Sequence, residues 1–255
     1  MIRAIFFDID GTLLSFNTHQ VSQGTIQAFG ALRQQGILTF VSTGRPVPLI
    51  PSMPVEFNGY VTVNGGYCFM GDDVVVDKPL SQQDIDGWLD YVDRNNLVTM
   101  QFGSREMHVN QLANNIENLQ AQLGFIMPPP LSTKEMRSKR TYQFIAMMPA
   151  DKDAEVLSLL PHCRLPRWHP AFSDLIPADS SKAEGIVCIA KRLGLKKEEL
   201  MAFGDGGNDM EMLDFVGIGV AMGNANETVK KHADFVTRSC DEEGIQYALT
   251  KLKII

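Results

Sequence analysis

The sequence predicts an α/β fold with a mainly parallel sheet, interrupted by an inserted α+β unit. Three observations carry that expectation. Apolar runs at residues 2–7, 37–41 and 200–203 have the length of strands buried on both faces, and each ends in polar residues. Helical patterns separate such runs, which is the rhythm of βαβ units with right-handed crossovers. Between residues 82 and 180 the rhythm changes to short strands mixed with helices, as in an α+β layer with its own core.

Taken in order, residues 2–7 (IRAIFF) form the first strand and stop at Asp8 and Asp10. Ser22 caps a helix carrying Ile26, Phe29 and Leu32 on one side and closing near Gly36. Residues 37–41 form the second strand, which ends at Ser42-Thr43-Gly44-Arg45. Runs at 60–63, 67–70 and 74–76 are separated by Asn-Gly-Gly and Gly-Asp-Asp, the punctuation of hairpins. In the inserted unit, helical patterns at 82–96 and 110–123 alternate with strand-like runs at 99–102, 142–148, 164–169 and 172–176. Prolines 128–130 and the polar stretch 132–140 connect them. The first rhythm then returns with a helix over 181–193 closed by Gly194 and a strand at 200–203. A helix through Leu213, strands at 218–222 and 234–237 and a helix over 241–252 complete the chain. The expected domains are a core half at 1–80, an inserted domain at 81–179 and a second core half at 180–255, an arrangement tolerated because the ends of a compact unit often lie close together.

Composition narrows the function classes. The chain has 255 residues, 44% hydrophobic and 21% charged, which excludes disordered, collagen-like and disulfide-scaffold classes. No apolar stretch approaches the ~20 residues of a membrane helix, and the acids inside the first apolar run do not suit a signal peptide. A cytoplasmic protein without a membrane partner is expected. The net charge of −7 lacks the basic field of a nucleic-acid binder, so no nucleic-acid partner is expected either. Cys68, Cys163, Cys188 and Cys240 are widely spaced and sit in apolar surroundings, which predicts buried free thiols rather than a zinc site.

The polar strand ends carry the chemistry. In open α/β sheets, ligands bind outside the carboxyl ends of strands. If the first, second and 200–203 strands are neighbours, then Asp8, Asp10, Thr43 and Asp205 share one crevice. Asp8-Ile9-Asp10-Gly11-Thr12 can be an ordinary Asp-Gly turn. That reading struggles with two acids directly after a buried strand, because a desolvated carboxylate needs a cation or donors. Gly204 to Asp209 can be a glycine-rich turn with a capping acid, and paired with Asp8 and Asp10 it offers hard oxygen ligands of the kind Mg²⁺ takes. Thr43-Gly44 offers a hydroxyl and an unobstructed N–H to a phosphate oxygen. Lys182 lies in the first turn of a helix, where a cation is disfavoured unless acids or a bound anion reverse the local field. A surface lysine is the ordinary alternative, and Lys191, deeper in the helix, is a rival.

These four motifs, DxDGT at 8–12, the Thr of STGR at 42–45, Lys182 and GDGGND at 204–209, resemble in order those of the haloacid dehalogenase superfamily, Cof-type phosphatases with a C2 cap of the C2B kind. The run Pro166-Arg167-Trp168-His169-Pro170-Ala171-Phe172 is similar to Bacteroides-type hexose phosphatases. One departure is Ala183 after the motif lysine, where the family commonly has Gly; here the glycine is Gly185.

The resemblance implies a Rossmann-like core with an inserted cap domain, and a Mg²⁺-dependent phosphatase acting on small phosphate monoesters, hexose or pentose phosphates first. It implies Asp8 as nucleophile, Asp10 as general acid and base, and Mg²⁺ on Asp8, the Asp10 carbonyl and Asp205. Thr43, Gly44, Lys182 and Asn208 would hold the phosphate, with Asp209 ordering Lys182 or a metal-bound water. Arg167, Trp168, His169 and Asp174 are candidates for leaving-group recognition in the cap, although Trp168 can equally be cap core and Asp174 a solvated strand residue. The expected partner is a small phosphorylated metabolite, and the expected state a monomer or weak dimer. Alternatives are a pyridoxal phosphate or flavin-precursor phosphatase, a sugar phosphomutase, and a non-catalytic phosphosugar-binding module.

Overall fold

The computed structural model describes residues 1–112, 128, 130–167 and 171–255. It divides into two compact units, one of residues 1–44, 51–76 and 181–255, the other of 45–50 and 77–180.

The first unit is built on β1 (Ala4–Phe7), β2 (Leu38–Ser42), β3 (Gly59–Thr62), β4 (Tyr67–Met70) and β5 (Asp73–Asp77). In the inserted stretch come β6 (Thr99–Phe102), β7 (Met107–Val109), β8 (Gln143–Ala146), β9 (Cys163–Arg164) and β10 (Ser173–Pro177). After it the first sheet resumes with β11 (Leu200–Gly204), β12 (Ile218–Ala221) and β13 (Phe235–Val236). The order of that sheet is β13-β12-β11-β1-β2-β3-β4-β5, parallel from β13 to β3. β1 is central and buried on both faces. Ala4 and Phe6 pack on one side with Ile186, Ile189 and Leu213, while Ile5 and Phe7 pack on the other with Phe29, Leu32 and Leu249. Two apolar faces on one strand are what an unbroken apolar run predicts.

Register places the chemistry. Phe7 of β1 stands beside Phe203 of β11 and Val41 of β2, so Asp8, Thr43 and Asp205 leave the sheet at the same end. The helix Lys182–Leu193 starts at the same place, capped by Ser181, whose hydroxyl accepts from the Glu184 N–H. Its first turn packs on a tight segment, Val63–Gly65, in which all three residues have positive φ (52°, 50° and 89°). A β-branched residue there is strained, and surrounding contacts must hold it. At Gly65 a β-carbon would stand 2.0 Å from the Ser181 carbonyl oxygen. That close approach seats the helix carrying Lys182.

The second unit is an antiparallel sheet of order β7-β6-β8-β10-β9 with two apolar clusters. One gathers Trp88, Leu89, Phe144 and Leu175; the other gathers Met100, Phe102, Ile145 and Phe172 with Leu49, which explains why residues 45–50 belong to this unit.

Several elements differ from expectation. The strand expected at 164–169 is the two-residue β9, and residues 168–170 lie outside the described residues. Most of the helix expected at 110–123 lies outside them too. The polar stretch 132–140 contains a helical turn, Thr133–Met136, because Ser132 and Glu135 form a reciprocal capping box. The helix Asp153–Leu159 was not expected; Asp153 and Glu155 in its first turn suit the helix dipole. The last helix begins at Gly244 because Glu243 is left-handed. Of the thiols, Cys68 and Cys163 are buried but Cys188 and Cys240 only half-buried, a correction to the expectation for all four. No described helix is long and apolar enough to cross a membrane.

Gly65→Ala meets a backbone oxygen that cannot rotate away and a φ that alanine disfavours. We expect it to lower the stability of the chain by about 3 kcal/mol, read from the urea midpoint.

Candidate active site

At the carboxyl end of β1, Asp8 is buried and its backbone N–H donates to the Phe203 carbonyl at 3.0 Å. Its Oδ1 accepts from Lys182 Nζ at 2.6 Å, and the same ammonium donates to Asp209 Oδ1 at 2.5 Å. Lys182 is therefore no surface lysine: it is 1% exposed, whereas its rival Lys191 is exposed. The second oxygen of Asp209 accepts the backbone N–H groups of Asp205 and Gly206 at 3.0 and 2.8 Å. Both Asp209 oxygens are thus used in holding Lys182 and the 204–209 turn.

The Asp205 carboxylate is held from two directions. Thr12 donates to its Oδ1 at 2.9 Å, and Asn224 Nδ2 donates to its Oδ2 at 3.2 Å. Asn224 also donates to the Gly11 carbonyl at 2.9 Å and accepts from the Cys240 N–H at 2.9 Å, tying three loops together. Gly11 has φ +80°, and a β-carbon there would lie 2.2 Å from Asp205 Oδ2. Only glycine lets the chain after Asp10 run this close to the second carboxylate.

On the other side, the Thr43 N–H donates to the Val61 carbonyl at 2.8 Å, and the Asn64 N–H donates to the Thr43 carbonyl at 3.1 Å. Asn208 Nδ2 donates to Asn64 Oδ1 at 2.9 Å. A β-carbon on Gly44 would touch the amides of Asn64 and Asn208 at 3.1 to 3.4 Å. Thr43, Gly44 and Asn208 therefore lie on loops that meet at Asn64, and Lys182, at the start of its helix, reaches Asp209, the residue next to Asn208.

The electrostatics are unbalanced. Burial raises the Asp8 carboxyl well above the usual range; Lys182 opposes this, while Asp209, Asp205 and Asp10 add to it. Burial, then the charge of Asp209, pushes Asp205 up to about 7. Burial alone would lower the Lys182 ammonium, but attraction by Asp209 and Asp8 outweighs it and raises the pKa. Four carboxylates act on one another here, with one lysine among them. Carboxylate oxygens of Asp8, Asp205 and Asp209 lie within 4.8 Å of one another. With both Asp209 oxygens engaged, the Asp8 and Asp205 oxygens are the ones that fit a hard divalent cation, which would also answer that charge deficit.

The matching family model, haloacid dehalogenase-like hydrolase, spans residues 5–249. The chain belongs to that family. This hydrolase is 30% identical over 259 residues to YkrA of Bacillus subtilis (strain 168), named provisionally as a phosphatase, covering 99% of this chain and 98% of YkrA. Among solved structures it resembles the HAD subclass IIB sugar phosphatase BT4131, at 36% identity and TM-score 0.91 over 99% of this chain and 100% of that one. It also resembles BT1666 from Bacteroides thetaiotaomicron, described among the phosphatases of the superfamily, at 34% identity and TM-score 0.91 over 100% of this chain and 96% of that one. The hydrolase is a phosphatase with the fold of its superfamily.

Sequence reasoning missed Asn64 and Asn224. Asn64 stands in an Asn-Gly-Gly run that reads as hairpin punctuation, and Asn224 in a turn with no motif of its own. The expected cap candidates fare differently. Trp168 and His169 lie outside the described residues. Arg167 donates to both Asp153 oxygens, at 3.0 and 2.5 Å, and to the Met148 carbonyl at 3.1 Å. Asp174 is buried in β10, not solvated.

Lys182→Met leaves Asp8 and Asp209 facing each other without the ammonium. In EDTA we expect a loss of about 3–5 kcal/mol at pH 8, as for one partner removed from a buried ion pair. Asp8, already raised, rises further, so the folded state holds protons that the unfolded chain releases above pH ~4. Stability then falls as pH rises, and the loss at pH 5 is smaller. Urea unfolding of both proteins at the two pH values measures it.

Proposed function

We propose that this phosphatase hydrolyses small sugar phosphates, hexose phosphates foremost, with Mg²⁺ and through a phosphoryl group carried on Asp8. The observation that carries the reading is a buried carboxylate, Asp8, set against one lysine and three further acids at the mouth of a parallel sheet. Such a cluster suits an anionic nucleophile meeting an anionic substrate only when extra positive charge is supplied. The sugar class is supported by the likeness over nearly the whole chain to a sugar phosphatase.

In this reading Asp8, the carbonyl of Asp10 and Asp205 hold Mg²⁺, whose bound charge lowers the repulsion between carboxylate and phosphate. Asp8 attacks phosphorus; an Asp8–phosphorus bond forms as the bond to the sugar oxygen breaks. Asp10 gives its proton to that oxygen, then takes one from the water that releases inorganic phosphate. Lys182 fixes the orientation of Asp8, and Thr43, Gly44, Lys182 and Asn208 donate to the non-reacting phosphate oxygens. Asp209 orders Lys182. The inserted domain, as a cap over residues 81–179, supplies leaving-group contacts, with Asp174 and Arg167 its described candidates.

Phosphate release from hexose, pentose, pyridoxal and nucleotide monophosphates, with Mg²⁺ or with EDTA, tests this. We expect hexose phosphates to rank first, loss of turnover in EDTA, and a loss of at least about 10³-fold in Asp8→Asn. Because Asp205 must release a proton to accept the metal, the Mg²⁺ needed for half-maximal rate rises as pH falls below about 7. Turnover that survives EDTA or Asp8→Asn overturns the reading.

A further inference from the structure

Among the described residues, the exposed large hydrophobics include a single aromatic, Phe16, at 63% exposure. It stands four residues after Thr12, beside the acid cluster. A β-carbon on Gly11 would lie 2.5 Å from Phe16 Cε2 and 2.2 Å from Asp205 Oδ2, so ring edge and carboxylate flank the same backbone position. The loop that displays the ring is pinned. Ser15 Oγ accepts the N–H groups of Asn17 and Thr18 at 3.0 and 3.2 Å, and the His19 N–H donates to the Ser15 carbonyl at 2.9 Å. Asn17 Nδ2 donates to Asp241 Oδ2 at 2.7 Å.

A fixed turn that leaves its phenyl ring in water forgoes the burial such a ring ordinarily gains. Phenylalanine has no polar atom, so what it can offer a ligand is an apolar face held at a set place. The nearest chemistry is that of the phosphate-ester site.

We propose that Phe16 is a specificity-determining residue of the core, stacking on the apolar face of a cyclic leaving group, the ring C–H face of a sugar, as its phosphate reaches Asp8. The proposal rests on the phosphatase reading and adds a recognition element outside the inserted domain. Phe16 touches the leaving group and not the phosphate, so its contribution separates ring-bearing substrates from ringless ones.

The test compares wild type, Phe16→Ala and Phe16→Tyr on a hexose 6-phosphate and on acetyl phosphate. We expect Phe16→Ala to lower the ratio of kcat/KM for the hexose phosphate over acetyl phosphate by roughly five- to tenfold, chiefly through KM, as for loss of one aromatic contact. Phe16→Tyr, which keeps the ring, restores the ratio. An equal loss on both substrates means that Phe16 only supports the loop, and no loss on either means that no contact exists; each overturns the proposal. Failure of wild type on the hexose phosphate with acetyl phosphate still turned over sinks the sugar reading instead, and Phe16 with it. Failure on both substrates sinks the phosphatase assignment.

Discussion

The rest of the structure depends on one constraint, the burial of Asp8 against Lys182. A carboxylate at the end of a doubly buried strand has lost most of its water. One ammonium at 2.6 Å offsets part of that cost and is itself buried, so it needs Asp209 as well. Asp209 in turn must be fixed, and the N–H groups of Asp205 and Gly206 fix it. Each compensation recruits the next residue, and together they leave more negative charge than the protein neutralises.

The surrounding geometry serves that pair. Gly65, left-handed against the Ser181 carbonyl, seats the helix that starts at Lys182. Asn224 joins Gly11, Asp205 and Cys240, holding the second carboxylate where the chain after Asp10 passes closest. Asn64 connects the Thr43 strand end to Asn208. Strain in the Val63–Gly65 segment is the local cost of that junction.

Much of this was legible in the sequence, for physical reasons. Strands such as β1 and β11 are unbroken apolar runs because both faces are covered, and acids directly after them are conspicuous. Lys182 was legible by its motif, although a lysine in a first helical turn is ordinarily a surface residue; only the fold brings it to acids 174 and 27 positions away. Asn64 and Asn224 were illegible because an amide in a turn is commonplace, and its partners lie far off in sequence. Arg167 was legible as a charged residue near the return to the core, but its bonds to Asp153 and to the Met148 carbonyl were not, because those partners are brought to it only by the fold. The helical turn at 133–136 was hidden in a polar stretch where a capping box, not apolar periodicity, defines it, and the helix at 153–159 spans only seven residues, too few for a periodic apolar face to show.

The central claim is that the phosphoryl group passes through Asp8. Borohydride reduction during turnover of a hexose phosphate, followed by peptide mass spectrometry, tests it most directly, because an acyl phosphate is reduced to the alcohol while a free carboxylate is not. The account predicts conversion of Asp8 to homoserine, dependent on substrate and on Mg²⁺. Reduction at another acid, or none during demonstrable turnover, would contradict it.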